Sequence, residues 1–194
     1  SAAARDPETA ARIGKRVNKA LVNSIFETDI VEDRRNRIRA LAITGGPNEV
    51  ESIWKLLSEE SVRTETLATL IRIGKIEQTS RLISSSDISL RAAALQWMIL
   101  CSNGPHYSRI IQMESDPSPS IRVSVLESLE HAPLAIATPS IVRLLNDDNI
   151  DVKIEASRQL RRLSSDIILD YAPELLNSSS ISCRIHGVEA LATV

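Results

Sequence analysis

The side chains that could act as acids, bases or metal ligands are few in this sequence, and their spacing matches no familiar site. His106, His131 and His186 form neither an HExxH motif nor a pair four residues apart. Cys183 and His186 make one C-x-x-H, but a zinc site needs further ligands, and Cys101 lies about eighty residues away. The sequence therefore predicts no metal site.

Motifs for phosphate binding and for nucleophilic catalysis are also missing from the sequence. Gly45 and Gly46 lack the preceding strand and the following lysine of a phosphate-binding loop, and no G-x-S-x-G occurs among the many serines. Acidic and basic residues from distant parts of a chain can still converge, so an enzyme stays an open alternative. The sequence favours a protein that is not an enzyme and that needs no cofactor.

The composition predicts which type of secondary structure carries the histidines, cysteines and charged residues. Hydrophobic residues make up 43% of the chain and aromatic residues only 3%, so the core must be aliphatic. Glycine occurs 6 times and proline 8 times, and no stretch alternates like a strand, which predicts helices almost throughout. The net charge of -2 gives no overall field for nucleic acid or an anionic membrane, and no apolar run is long enough to span a bilayer.

A ten-residue phrase recurs five times and defines the organisation of the chain. Its copies are SVRTETLATL (61–70), SLRAAALQWM (89–98), SIRVSVLESL (120–129), DVKIEASRQL (151–160) and SCRIHGVEAL (182–191). The third residue of every copy is basic, and these residues are 28, 31, 31 and 31 positions apart. Counted from the residue before the basic one, mostly apolar residues fall at offsets zero, four, five, eight and eleven, which is the period of one helix face. Each phrase is therefore predicted to form an amphipathic helix.

A shorter apolar segment precedes each phrase and predicts a first helix in every repeat. These segments are IWKLLSE (53–59), SRLISS (80–85), SRIIQME (108–114), SIVRLLN (140–146) and APELLNS (172–178). One helix pair cannot bury both of its faces, so successive pairs must stack into a continuous core. We therefore expect an all-α protein, a curved α-solenoid of stacked antiparallel helix pairs.

The phrase and the turn before it resemble the HEAT repeat, in particular a short variant of roughly thirty residues found in HEAT-like domains related to phycobilisome lyases. The resemblance rests on Asp116 before Ile121-Arg122 and on Asp147 before Val152-Lys153, and it covers roughly residues 50–194. It implies a right-handed superhelix. It also implies a structural ladder of turn acids and helix bases between repeats, formed by Arg63, Arg91, Asp116, Arg122, Asp147, Lys153 and Arg184.

The sequence departs from the HEAT pattern at three positions. Lys153 cannot form the bidentate fork of an arginine. At Ser61 and Ser180 the turn acid is missing or displaced. These departures make a regular ladder less complete, but they leave the helical pattern intact.

Both ends of the chain depart from the repeat. Residues 1–49 are predicted to form two helices, 7–26 and 31–44, which act as a degenerate repeat or cap before about five repeats in residues 50–194. At the other end, Val188, Leu191 and Val194 keep the core register with no polar cap after them. Either the native chain continues, or another subunit covers this face, or the rule of polar caps is broken. We expect a fragment of a longer chain, with self-association or intramolecular packing through this last repeat.

The predicted binding surface lies on the concave side of the solenoid. Its residues stand at or beside offsets six and ten of each second helix, counted as above from the residue before the basic one. Its candidate residues are Gln96, Trp97, Glu127, His131, Arg158 and Arg162. Their mixed charge suits a protein or peptide partner better than a phosphate backbone, which needs a row of basic residues. Trp97 is either an interface anchor or a core residue at the edge of the apolar stripe, and the arginines either grip an acidic segment or form a solvated face.

These patterns lead to three hypotheses about function. The leading one is a non-catalytic scaffold or adaptor that binds a protein or peptide on the concave face. The HEAT resemblance adds the alternative of a HEAT-like lyase or other enzyme acting on a protein-bound cofactor, and the third hypothesis is a nucleic-acid-binding solenoid, against which the balanced charge argues. Cys101 and Cys183 fall on core positions as reduced thiols, which favours a cytoplasmic location.

Overall fold

The structure, a computed structural model, describes residues 7–101 and 104–194, and this part of the chain is all-α. It contains twelve α-helices and no strand. The helices are α1 (Pro7–Glu27), α2 (Val31–Thr44), α3 (Val50–Ile53), α4 (Arg63–Ile73), α5 (Thr79–Ile83), α6 (Ile88–Ile99), α7 (Tyr107–Ile110), α8 (Pro119–Ser128), α9 (Leu134–Leu144), α10 (Ile150–Gln159), α11 (Ser165–Leu176) and α12 (Ile181–Leu191). Among the described residues, none of these helices has the length and apolar character needed to cross a bilayer.

All five phrases are helical, as predicted. They form α4, α6, α8, α10 and α12, which we call the second helices together with α2. The preceding first helices are less regular: α3, α5 and α7 have only four or five residues and adjoin 3-10 turns at Trp54–Ser58, Ile76–Gln78 and Ile111–Met113. The second helices are therefore the continuous elements that position the side chains of the candidate site.

The predicted core register is confirmed in the first four phrases. At offset four the residues are buried in every copy: Thr66, Ala94, Val125, Ala156 and Gly187. At offset five, Leu67, Leu95, Leu126 and Ser157 are buried, whereas Val188 is 58% exposed. The fifth copy differs because offset five faces the following helix pair, and no described residue packs on that side of α12. What covers this exposed part of α12 stays a prediction.

The described chain forms two compact units, each with its own core. Ser1–Gly104 contains α1 to α6, and Pro105–Val194 contains α7 to α12. In the first unit the core runs from Val22 on α1 to Trp97 on α6. The predicted division at residue 50, between a cap and the repeats, stays a prediction, and residues 1–6 of that cap lie outside the described residues.

Ile13, Val17, Leu21 and Ile25 lie four residues apart and predict one apolar face on α1, but only the C-terminal part of that face is buried. Ile25 is fully buried, but Ile13 and Val17 are 50% and 51% exposed. The 14 residues of α2 are too few to cover all 21 residues of α1. Instead, Asn18 is buried on α1 and its side-chain N–H donates to the carbonyl oxygen of Thr44 at 2.9 Å. This bond satisfies a carbonyl that the end of α2 leaves without a helical partner.

We predict that Gly74→Ala destabilises the first unit. A Cβ atom at Gly74 would lie 2.4 and 2.5 Å from two ring carbons of Trp97, and the buried ring has little room to move. Overpacking of this kind costs about 1–3 kcal/mol, so the thermal unfolding midpoint should fall. Gly14→Ala is the matched control, because no atom lies within 4 Å of a Cβ there. An unchanged midpoint for Gly74→Ala would contradict the packing described here.

Candidate functional site

The basic residue of each phrase closes the turn that precedes its helix. In four repeats an arginine guanidinium donates a hydrogen bond to the carbonyl oxygen six residues earlier. These bonds are Arg63 to Leu57 at 2.7 Å, Arg91 to Ser85 at 3.0 Å, Arg122 to Asp116 at 2.7 Å and Arg184 to Ser178 at 2.7 Å. We call this an arginine-closed turn. The structure gives the Lys153 ammonium, at the same position of the fourth repeat, no hydrogen bond within the described chain.

The turn acids act on the other side of the same turns. The Asp116 carboxylate accepts a hydrogen bond from the Ser118 N–H at 2.8 Å, and Asp147 accepts one from the Asn149 N–H at 2.8 Å. Asn149 in turn caps α10 by accepting from the Asp151 and Val152 N–H groups. Each acid thus satisfies a backbone donor just before a second helix, where helical partners are lacking.

One pair of ladder residues also connects two repeats. Arg122 donates two hydrogen bonds to the Asp147 carboxylate, both at 2.7 Å, and the side chains are only 14% and 8% exposed. Burial alone would raise the pKa of Asp147, but the hydrogen bonds from Arg122 and Asn149 outweigh it and hold that pKa below its usual value.

The two arginines predicted to grip a partner are engaged within the second unit. Arg158 on α10 binds Glu130, with both contacts at 3.1 Å, and also Glu155. Hydrogen bonds to Glu155 and Glu130 raise the pKa of Arg158, and the same bond from Arg158 lowers the pKa of Glu130. The Arg158 guanidinium is therefore already neutralised by carboxylates on α10 and just after α8.

Arg162 has a similar structural role at the end of α8. Its guanidinium donates to the carbonyl oxygens of Leu129 at 3.2 Å and Ala132 at 3.3 Å. Gln159, one turn earlier, donates to the Leu126 carbonyl at 2.7 Å. Cationic donors are favourable at a helix C-terminus, where carbonyl groups lack partners. These side chains thus attach α10 and the turn after it to the C-terminal end of α8.

The structure corrects the predicted interface role of Trp97. Its side chain is only 1% exposed, and its ring fills the space beside Gly74. A ring that is buried in this way cannot contact a partner. The other three predicted binding residues, Gln96, Glu127 and His131, are exposed on second helices or directly after one.

Sequence reasoning missed a groove in the first unit, between α2 and α4. Its volume is 420 Å³, and its lining residues are Arg39, Ala42, Ile43, Thr64, Glu65, Ala68, Thr69 and Arg72. Ile43 is 78% exposed, and the Arg39–Glu65 ion pair of 2.8 Å closes one end. Ala68 and Arg72 lie at offsets six and ten from Val62, the residue before the basic one in the first phrase, so the α4 half of the groove could be predicted from the sequence. The α2 half could not, because residues 1–49 do not keep the phrase.

The contact between Ser157 and His186 is structural. Ser157 Oγ lies 2.8 Å from His186 Nδ1 and 2.8 Å from the carbonyl oxygen of Ile154. A serine hydroxyl has one proton, and Ser157 is only 1% exposed, so it is a buried contact between α10 and α12. In residues 7–101 and 104–194, no group of three or more His, Cys, Asp or Glu residues could hold a metal ion.

The two cysteines also show no reactive environment. Cys183 is buried, and Cys101 is half-buried with its thiol 3.1 Å from the carbonyl oxygen of Trp97. Burial raises the pKa of the Cys101 thiol, which disfavours the thiolate needed for nucleophilic attack.

Comparison with known proteins returns helical repeat proteins made by design. An engineered protein from the Northeast Structural Genomics Consortium is 19% identical, covers 91% of this chain and 95% of its own, and has a TM-score of 0.49. A designed armadillo repeat protein is 14% identical over 90% of this chain and 98% of its own, with a TM-score of 0.46. Another, solved in complex with the peptide (KR)4, has the same identity and coverage and a TM-score of 0.49. No protein-family profile and no curated protein matches the chain. Likeness at these identities assigns no partner to this chain.

We predict that Asp147→Asn lowers stability in a pH-dependent way. Because the folded pKa of Asp147 lies below the unfolded one, its ionic stabilisation is complete above the ordinary aspartate pKa of about 3.9 and is lost as pH falls through the folded pKa. The variant should lose about 1–2 kcal/mol at pH 7, and the gap should close on acidification. Urea unfolding from pH 7 to pH 2 measures this. Asp148→Asn is the control, since Asp148 is exposed; a gap that does not change with pH would refute the role of the charge.

Proposed function

We propose that this protein is a non-catalytic interaction scaffold that binds a protein or peptide segment on its second-helix face. We define that face as the residues at offsets six and ten of the second helices, counted from the residue before the basic one, together with the adjoining surface of α2. The observation that carries the proposal is the groove between α2 and α4, in which exposed aliphatic and charged side chains lie together on neighbouring second helices.

The chemistry of the second-helix face supports a peptide partner over a phosphate backbone. The residues at offset six are an alanine, a glutamine, two glutamates and an arginine: Ala68, Gln96, Glu127, Glu189 and Arg158. The arginine is bound to Glu130 and Glu155. A phosphate backbone requires a row of available cations, whereas mixed polar and aliphatic side chains are typical of surfaces that recognise proteins.

Our proposal that the repeats are of the short HEAT type rests on the two-helix unit and on its turns. In the fourth repeat, α9 has 11 residues and α10 has 10. In the fifth, α11 has 12 residues and α12 has 11. The spacing of 31 residues between these two repeats and the Asp–apolar–basic pattern at Asp147 favour this assignment. The HEAT-like lyase remains the alternative of a different class. Against this alternative, the phrase arginines Arg63, Arg122 and Arg158 are held by backbone carbonyl oxygens or by carboxylates.

Photo-crosslinking of selected peptides tests the proposal. A displayed library of random peptides is selected on the folded protein, and p-benzoylphenylalanine then replaces one exposed residue at a time. The second-helix positions are Ala68, Gln96, Glu127 and Glu189. The controls are Ala135, Asp170 and Glu174 on first helices and Gln112 in the 3-10 turn that adjoins α7. The structure gives none of these eight side chains a hydrogen bond, so each replacement should leave the fold intact.

We expect selected peptides to crosslink from second-helix positions and not from the controls. Crosslinks from the control positions alone would place recognition on the opposite side and overturn the proposal. A library that yields no binding peptide, together with binding of a single-stranded oligonucleotide, would favour the nucleic-acid hypothesis instead.

A further inference from the structure

We infer that the groove between α2 and α4 binds a peptide segment in which an aliphatic side chain is followed by a carboxylate. This inference rests on the proposed function and specifies the chemistry of its partner. It uses only residues of the first unit, and the three residues that carry it are Ile43, Ala68 and Arg72.

The apolar part of the groove fits an aliphatic side chain. Ile43 and Ala42 on α2 face Ala68 on α4 across the groove, and Ile43 is 78% exposed. The volume of 420 Å³ lies within the range of about 300–1,000 Å³ that is usual for ligand sites. A branched aliphatic side chain would remove the apolar surface of Ile43 from water, which favours binding.

The charges around the groove select an acidic neighbour. At one end, the side chain of Glu65 is 15% exposed and forms an ion pair with Arg39 at 2.8 Å. Arg35 lies 3.7 Å from the same carboxylate, so the charge of Glu65 is already neutralised. At the other end, the structure gives the exposed Arg72 no ion pair or hydrogen bond within the described residues. A carboxylate beside Arg72 can form charge-assisted hydrogen bonds, whereas a lysine or arginine there would be repelled.

The distance between the two ends sets the length of the segment. Glu65 and Arg72 are seven positions apart on α4, which corresponds to about 10 Å along the helix at about 1.5 Å per residue. An extended chain advances about 3.3 Å per residue, so about three residues cover the groove. The minimal ligand is therefore an extended tripeptide segment with its aliphatic side chain over Ala68 and its carboxylate at Arg72.

Fluorescence anisotropy with three labelled octapeptides tests the inference. In an extended chain, residues two apart point to the same side, so each probe repeats a four-residue unit whose first and third residues can face the groove. The units are Leu-Ser-Asp-Ser (the Asp–Leu peptide), Leu-Ser-Lys-Ser (the Lys–Leu peptide) and Ser-Ser-Asp-Ser (the Asp–Ser peptide). We expect the Asp–Leu peptide to bind at least tenfold more tightly than either of the others. Equal or tighter binding of the Lys–Leu peptide, or equal binding of the Asp–Ser peptide, would overturn the assignment of charge or of the aliphatic site.

Two exposed substitutions then locate the binding. Ile43→Ser and Arg72→Glu should each weaken Asp–Leu binding about tenfold or more, and Arg72→Glu should also strengthen binding of the Lys–Leu peptide, a gain that misfolding cannot produce. The matched controls in the second unit are Ile181→Ser and Arg161→Glu, since both residues are exposed. Loss of binding in these controls, or parent affinity in the groove variants, would contradict the inference.

Failure of this inference is distinguishable from failure of the proposed function. If selected peptides crosslink from second-helix positions but bind Ile43→Ser and Arg72→Glu with parent affinity, the scaffold proposal stands and the groove is not its site. If no peptide of any kind binds the folded protein, both fail together.

Discussion

The hydrogen bond from an arginine guanidinium to the carbonyl oxygen six residues before it is the interaction on which the repeat depends. Every second helix starts directly after a chain reversal, and a reversal leaves backbone groups without helical partners. Arg91 shows how the residue compensates: its guanidinium reaches both Ser85 and Ser86 while its own side chain is only 8% exposed. The carbonyl oxygens that accept these hydrogen bonds lower the free-energy cost of burying the charge.

Contacts between successive second helices follow a related rule. A side chain of one second helix binds a backbone carbonyl of the helix before it: Thr69 binds the Ile38 oxygen at 3.1 Å in the first unit, and Gln159 binds the Leu126 oxygen at 2.7 Å in the second. These bonds fix the register of neighbouring helices, and the buried apolar residues at offsets four and eight then fill the space beneath them. The polar residues on this interface are thereby committed to stability, and only side chains outside it remain for recognition.

The separation between side chains that join neighbouring helices and side chains that remain for recognition explains what could and could not be predicted from the sequence. The repeat period determines which face of each second helix is buried, so offset four is buried in every copy. Periodicity gives position on a helix but not the reach of a long side chain. Arg158 was for that reason predicted as a candidate binding residue, although Glu130 and Glu155 bind it. Trp97 lies next to the exposed Gln96, and only the absence of a Cβ at Gly74 makes room for its ring in the core.

Lys153 offers the most direct test of the central claim, because it stands where the other four repeats have an arginine. In Lys153→Arg the guanidinium should reach the carbonyl oxygen of Asp147, six residues earlier, and close the turn before α10. One added hydrogen bond contributes about 0.5–1.5 kcal/mol. Amide hydrogen exchange in residues 144–150, followed by mass spectrometry, should therefore slow by about two- to tenfold. Unchanged or faster exchange in this segment would contradict the claim that an arginine-closed turn stabilises the repeat that contains it.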